Sequence, residues 1–137
     1  MTLELHATPE EVMRAVEALR QFGEARQVPA KTLFGLTLAL EECASNIVNH
    51  ALGRDPCRTF QASFQHRADE LVIELLDDGP PFDPSAASAP VPATAADDDP
   101  PGGWGILLVR RYTDAMHYSR VGNTNLLRLT KKFGTAA

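Results

Sequence analysis

The chain lacks several features that would assign it to a familiar class. It has only two cysteines among 137 residues, Cys43 and Cys57, and no Cys-x-x-Cys pair, which argues against a disulfide scaffold or a zinc knuckle. It has no basic run and a formal net charge of -5, so the clustered Lys and Arg that nucleic-acid binding needs are missing. No apolar run is long enough to cross a membrane and no secretory leader opens the sequence, so we expect a cytoplasmic protein with neither nucleic acid nor membrane as partner.

The common phosphate-binding signatures are also missing. There is no Gly-Lys-Ser or Gly-Lys-Thr of a Walker loop, no protein-kinase motif set, and no strand directly before the glycine-rich block, as a Rossmann fingerprint would require. With 137 residues, 44% of them hydrophobic, the chain is long enough to bury one core and too short for two domains. We therefore expect residues 1–137 to form a single domain.

Hydrophobic periodicity predicts a short first strand followed by two helices. Thr8-Pro9-Glu10-Glu11 is typical of a capping box with proline at the first helical position. A second helix is predicted from about residue 30 to residue 52, and its apolar stripe consists of Leu33, Leu36, Leu40, Ala44, Ile47 and Ala51. Glu42 and Asn46 fall opposite that stripe on a helical wheel, so taken alone they indicate a solvated face.

Alternating apolar residues predict four more strands, at about residues 60–65, 71–76, 115–120 and 125–133, with a helix opened by Gly105 before the last two. In the 71–76 strand the odd-numbered positions share one face, and Asp77 continues that face. If helices cover it, Asp77 is an inward carboxylate, which is costly unless donors reach it. The same parity argument turns Asn125 inward.

Residues 84–101 contain Ala, Pro, Ser and Asp with almost no large apolar side chain, so we expect a mobile loop there. A loop of this length inside a small domain is usually functional or disordered. The glycine block Gly102-Gly103-Trp104-Gly105 follows it and leads into a helix. Backbone N–H groups at a helix start, aided by the helix dipole, bind phosphate without a lysine.

Three motifs thus occur in a fixed order: Glu42-x-x-x-Asn46 on a helix, Asp77-x-Gly79 after a strand, and the glycine block at 102–105. Chance matches to one motif are common, but matches to all three in order are not. In these motifs the chain resembles the GHKL ATPase superfamily, whose ATP-binding Bergerat fold is shared by gyrase, histidine kinases and MutL. Within it, the chain looks like the small RsbW-like anti-sigma-factor serine/threonine kinases. The resemblance implies an α+β, two-layer α/β sandwich with a mixed sheet and helices on one face, and it makes residues 84–101 the mobile ATP lid.

The resemblance also implies a role for each motif residue. Asn46 would give a side-chain oxygen to the Mg²⁺ that bridges the triphosphate of ATP, which suits an ion that prefers oxygen ligands and keeps several waters. Glu42, one turn away, would be the general base that orients a water or a substrate hydroxyl. Asp77 would accept a hydrogen bond from the adenine amino group, and Gly79 would let the backbone approach the ring.

The remaining site residues that we predict are Asn49, Phe82, Gly102, Gly103, Trp104, Gly105, Ile106 and Asn125. By spacing, Asn125 occupies the slot of the superfamily's last-strand threonine. His50 matches a frequent histidine after the asparagine motif, and we expect it to be structural. Pro81 departs from the pattern, because many members carry a second glycine there.

The implied function is that of an ATP-dependent serine/threonine kinase that phosphorylates a STAS-type anti-anti-sigma protein and sequesters a sigma factor. Many relatives dimerise, so a homodimer is expected. The rival hypothesis is a nucleotide-binding regulator that transfers no phosphate. It is favoured by a lid that lacks Lys and Arg and carries Asp97-Asp98-Asp99, and opposed by the presence of Glu42. The catalytic half of a histidine kinase is less favoured, because no helical hairpin with a phosphoacceptor histidine precedes the motifs.

Overall fold

The computed structural model describes residues 1–84 and 102–134, and gives the backbone alone for residues 102–104. Within these ranges the chain forms five strands and three α-helices. The strands are β1 (Thr2–His6), β2 (Thr59–Arg67), β3 (Glu70–Asp77), β4 (Ala115–Val121) and β5 (Thr124–Lys132), and the helices are α1 (Pro9–Ala25), α2 (Ala30–Asn46) and α3 (Gly102–Tyr112). The α+β class expected from the sequence is confirmed.

The expectation of a mixed sheet was wrong, because every neighbouring pair in the described sheet is antiparallel. The strand order is β1-β2-β3-β5-β4. Two helices, α1 and α2, separate β1 from β2. Because the chain reverses direction at each of the three connections, β2 runs opposite to β1. β3 and β4 do run in the same direction on either side of α3, but β5 lies between them. The parallel pair that a single crossover helix usually gives is therefore never hydrogen-bonded.

The helices cover one face of the sheet, and the core lies between the two layers. α1 begins as the sequence predicts, with the backbone N–H of Glu11 donating to the Thr8 hydroxyl at 3.3 Å and Pro9 in the first turn. Fully buried side chains from both layers fill the interior and include Leu5, Leu19, Leu36, Leu40, Phe60, Phe64, Ile73 and Leu129. None of the described helices is long and apolar enough to span a bilayer.

α2 is the central helix of its layer, and it packs against α1 on one side and α3 on the other. The contact with α3 is close at Gly35, where a Cβ would overlap the ring of Tyr112. The predicted helix of residues 30–52 is α-helical only to Asn46. It continues as a π-helical turn, Ile47–Ala51 (the π turn), in which Leu52 N donates to Ile47 O at 2.8 Å. Such turns widen a helix locally and are frequent at functional sites.

The face prediction for β3 is confirmed. Asp77 lies on the face of β3 that is turned to the helices, and it is 8% exposed. Asp78, by contrast, is exposed and pairs with Arg58 at 2.9 Å. In the β3–β5 ladder Asp77 stands directly opposite Asn125, which is 4% exposed. The ladder therefore brings two buried polar residues, far apart in the sequence, to one end of the interior.

Candidate functional site

A cavity opens where α2 and the π turn face the end of β3 and the start of β5. The empty space between these elements is about 420 Å³ and includes the part that opens to solvent. Its walls are formed by Cys43, Asn46, Ile47, Ala51, Asp77, Phe82, Pro84, Tyr118, Asn125 and Leu127. Four residues selected from the sequence, Asn46, Asp77, Phe82 and Asn125, therefore meet at one cavity.

The Asp77 carboxylate is held in place by two donors that share one of its oxygens. The backbone N–H of Gly79 donates to Oδ1 at 2.8 Å, and the Asn125 side-chain amide donates to the same atom at 3.0 Å. These bonds offset the cost of burying the charge. No described residue donates to Oδ2, so one acceptor of a buried carboxylate is left for a ligand in the cavity.

Gly79 is required by close packing between the turn after β3 and the π turn. A Cβ at this position would lie 2.7 Å from the Ala51 Cβ and 2.7 Å from the Ala51 carbonyl oxygen. Backbone cannot yield to such an overlap as a side-chain end can, so only glycine fits. This packing holds the turn after β3 against the π turn and thereby positions the Gly79 N–H that donates to Asp77.

Glu42 lies where α2 meets the first turn of α3. A Cβ at Gly105 would overlap the Glu42 carboxylate and come within 2.5 Å of its Cγ, so the glycine allows this acid to rest against the helix start. Burial raises the pKa of Glu42 above its ordinary value of 4.5; neighbouring Glu41 raises it further, while His50 acts in the opposite direction. Although Glu42 lies opposite the apolar stripe of α2, α3 packs against this side of α2 and leaves the residue half-buried.

Asn46 lies one helical turn beyond Glu42 and lines the cavity. No group of three or more His, Cys, Asp or Glu side chains in the described residues could hold a metal ion by itself. One amide oxygen suits Mg²⁺ where phosphate oxygens and waters supply the other ligands. The donor set therefore fits a magnesium ion that is carried in with a nucleotide.

Comparison with known proteins identifies the family. Residues 5–131, nearly the whole chain, match the family described as the histidine kinase-like ATPase domain. The chain belongs to this ATPase family. The resemblance to GHKL ATPases that the motifs carried is thereby confirmed. The chain is also 32% identical over 129 residues to the serine/threonine-protein kinase BtrW of Bordetella bronchiseptica, an alignment that covers 94% of this chain and 91% of BtrW.

Two solved structures share the fold of this ATPase-family chain. The SiaB–SiaC complex from Pseudomonas aeruginosa matches with a TM-score of 0.70 at 14% identity, over 95% of this chain and 88% of that one. The RsbU and RsbW domains of Rv1364c from Mycobacterium tuberculosis match with a TM-score of 0.64 at 13% identity, over 100% of this chain and 34% of that one. At such identities these structures show a common fold alone.

The glycine block of this ATPase domain is itself helical. α3 begins at Gly102, three residues before the helix start predicted from the sequence. Ile106 is 3% exposed and, like Gly105, is not part of the cavity wall. The structure describes only the backbone of Gly102, Gly103 and Trp104, and of the predicted lid it describes only Pro84. The nucleotide contacts of these residues therefore stay predictions.

Asn49 does not line the cavity. It is exposed, and its Oδ1 accepts a hydrogen bond from Arg54 Nε at 2.8 Å. Its predicted part in nucleotide binding has no support from this position and stays a prediction.

Sequence reasoning missed three residues near the Asp77 end of the cavity. Cys43 and Tyr118 line its wall, and Arg120 lies beside Asn125 in the β4–β5 ladder. Burial raises the pKa of Cys43 to about 12, so this thiol stays protonated and unreactive near neutral pH. The parity of β4 could have found the other two, because residues 118 and 120 share a face that meets the inward face of β5.

Proposed function

We propose that this chain is an ATP-dependent serine/threonine kinase that acts on a partner protein. The observation that carries the proposal is the position of Glu42, a partly buried carboxylate with a raised pKa, one turn before Asn46 and against the start of α3. Membership of the histidine kinase-like ATPase family supports ATP as the nucleotide. The name of BtrW, a serine/threonine-protein kinase that aligns over nearly the whole chain, supports transfer to a protein hydroxyl.

We infer that the cavity binds the adenine base. The free oxygen of Asp77 would accept a hydrogen bond from the 6-amino group, and the apolar side chains of Ile47, Phe82 and Leu127 would contact the ring. Cavities of this kind bind by apolar contact and take their specificity from a few well-placed polar groups. Asp77 would be that group here.

The triphosphate would be held by the first turn of α3, whose backbone N–H groups favour anions. Magnesium bound with ATP would neutralise phosphate charge, and Asn46 would supply its protein ligand. Glu42 would accept the proton of a serine or threonine hydroxyl. The hydroxyl oxygen would then bond to the γ-phosphorus as the bond from that phosphorus to the β–γ bridging oxygen breaks, which leaves a phosphorylated side chain and ADP.

The partners follow from the resemblance to RsbW-like kinases. We infer that the substrate is a STAS-type anti-anti-sigma protein, that the second ligand is a sigma factor, and that a homodimer is the working form in the cytoplasm. Phosphorylating the STAS partner would abolish that contact and free the kinase to hold the sigma factor.

The test is to incubate the purified chain with γ-labelled ATP, Mg²⁺ and the STAS proteins encoded beside its gene. We expect label on a serine or threonine of one STAS protein. The acidic, cation-free sequence of residues 84–101 favours the rival, a nucleotide-binding regulator that transfers no phosphate. ATP binding in calorimetry without label on any STAS protein would decide for that rival.

The pH dependence of transfer tests the base. Glu42 must lose its proton to act, so kcat/KM should rise with pH through its pKa, with a midpoint above 4.5 because burial and Glu41 raise that pKa. Glu41→Gln removes one raising charge and should move the midpoint to lower pH. His50→Gln removes a lowering charge and should move it to higher pH. Identical profiles for all three proteins would contradict the assignment.

The metal role of Asn46 predicts a loss that depends on magnesium. Asn46→Ala should weaken ATP binding about tenfold with Mg²⁺ present, because the contact between the Asn46 side-chain oxygen and the metal is lost. We take this contact to be about as strong as one hydrogen bond. With EDTA the variant and the wild type should bind ATP equally in calorimetry. The same loss under both conditions would show that Asn46 acts on the nucleotide or the fold and holds no metal.

A further inference from the structure

We propose that Tyr118 and Arg120 of β4 are positioning residues that orient the Asp77 carboxylate, and that they thereby set the preference of the cavity for a purine with a 6-amino group. The inference rests on the proposed binding of ATP. It adds two residues that act on the base through Asn125 and Gly79, and the group whose recognition depends on them is the 6-amino group of the purine.

The first step is the Asn125 amide, both ends of which are used. Its Oδ1 accepts from the Tyr118 hydroxyl at 2.5 Å and from Arg120 Nη1 at 3.0 Å. Its Nδ2 lies 3.0 Å from Asp77 Oδ1, 3.2 Å from the Gly79 carbonyl oxygen and 3.0 Å from the Pro80 carbonyl oxygen. A flipped amide would set its oxygen against three acceptors and its nitrogen against the Arg120 guanidinium, which can only donate, and would lose the bond that Oδ1 accepts from Tyr118. The two β4 side chains therefore fix the amide in the sense that donates to Asp77.

The second step is the turn after β3. Arg120 Nη1 also donates to the Gly79 carbonyl oxygen at 2.9 Å, and the Gly79 N–H is the other donor to Asp77 Oδ1. Both donors on that oxygen are thus held by β4, one through the Asn125 amide and one through the Gly79 residue. With Oδ1 occupied twice, the carboxylate cannot rotate without losing two hydrogen bonds, and Oδ2 is the atom that remains for the ligand.

The consequence for specificity comes from what a carboxylate can do. An ionised carboxylate only accepts hydrogen bonds, so it matches the 6-amino group of adenine, and it opposes the carbonyl oxygen that guanine and hypoxanthine carry at that position. A site built to bond one group discriminates strongly when its polar atoms cannot move to find another partner. Holding Asp77 still is therefore the contribution of Tyr118 and Arg120.

Tyr118→Phe tests the inference, because it removes the hydroxyl and keeps the ring that lines the cavity. The affinity of the full chain is measured by calorimetry for ATP and for purine riboside triphosphate, which lacks the 6-amino group. We expect ATP to bind about tenfold more weakly to the variant, the usual effect of losing one hydrogen bond from such a network. Binding of purine riboside triphosphate should change by less than about twofold, since it makes no hydrogen bond to Asp77. Arg120→Met should show the same pattern with a larger loss for ATP.

Arg128→Met is the matched control. Arg128 lies on β5, on the sheet face away from the helices, where it pairs with Glu74 at 2.8 Å. Its loss should leave both affinities unchanged. Equal losses for the two nucleotides in Tyr118→Phe, or no loss for either, would overturn the positioning role while ATP binding by the wild type still supports the proposed function. A wild-type chain that binds neither nucleotide would overturn both.

Discussion

Replacing Glu42 with Gln is expected to slow phosphotransfer to the partner protein by about 10²–10⁴-fold, the usual contribution of a general base. Glutamine keeps the size and packing of the side chain against Gly105 but cannot accept a proton. Because Glu42 is not part of the cavity wall, ATP affinity should stay within about twofold, less than the loss of one hydrogen bond. The two quantities are read separately, by transfer of label and by calorimetry.

Glu41→Gln is the control for this substitution. Glu41 neighbours Glu42 on α2, and its replacement removes the same formal charge. The Glu41 side chain acts on the reaction only through the pKa of Glu42. On the plateau of the pH profile, where Glu42 is ionised in both proteins, it should transfer label at nearly the wild-type rate. A Glu42→Gln protein that phosphorylates its partner normally would contradict the assigned base, and the rate would then have to come from positioning of the reactants alone.

Asp77→Asn is expected to weaken ATP binding about 100-fold, because a charge-assisted hydrogen bond to the base is lost and two donors are left facing an amide. If the amide keeps its oxygen toward Gly79 N and Asn125 Nδ2, its nitrogen points at the ligand. A donor there opposes the donor of the adenine amino group. Calorimetry with ATP measures the loss directly.

Asp78→Asn removes the same charge one residue further along the chain and should leave ATP affinity within about twofold, since exposed ion pairs contribute little. Asp78 faces solvent, and its ion pair with Arg58 is 2.9 Å long with both side chains exposed. Equal losses for the two variants would mean that net charge near the cavity matters and the inward carboxylate does not. The difference between them isolates the effect of the face on which the acid lies.

Much of the Asp77 end of the candidate site could be predicted from the sequence, because its residues obey strand parity. The alternation of β3 placed Asp77 inside, and the parity of β5 did the same for Asn125, as the structure confirms. The cap of α1 and the approximate position of every strand were also predicted correctly. These features depend on neighbours within one element, which a single sequence displays directly.

Features that depend on contacts between elements were not predicted. The partial burial of Glu42 comes from α3. The hydrogen bonds that Tyr118 and Arg120 donate to Asn125 come from β4, the strand beyond β5. The antiparallel sheet results from β5 inserting between β3 and β4, which no local pattern records. The π turn follows a regular apolar stripe, and it differs from an α-helix only in a hydrogen-bond span that the same side chains tolerate.

The ladder between β3 and β5 runs without interruption from Glu70 opposite Lys132 to Asp77 opposite Asn125. Adding or deleting one residue in the hairpin that feeds β5 would slip this alignment by a single step, and every side chain of that strand would exchange the interior for water. Asn125 would then be lost from beside Asp77 although its own codon was untouched. The length of the turn that feeds β5 is therefore as necessary to this pair as the two side chains themselves.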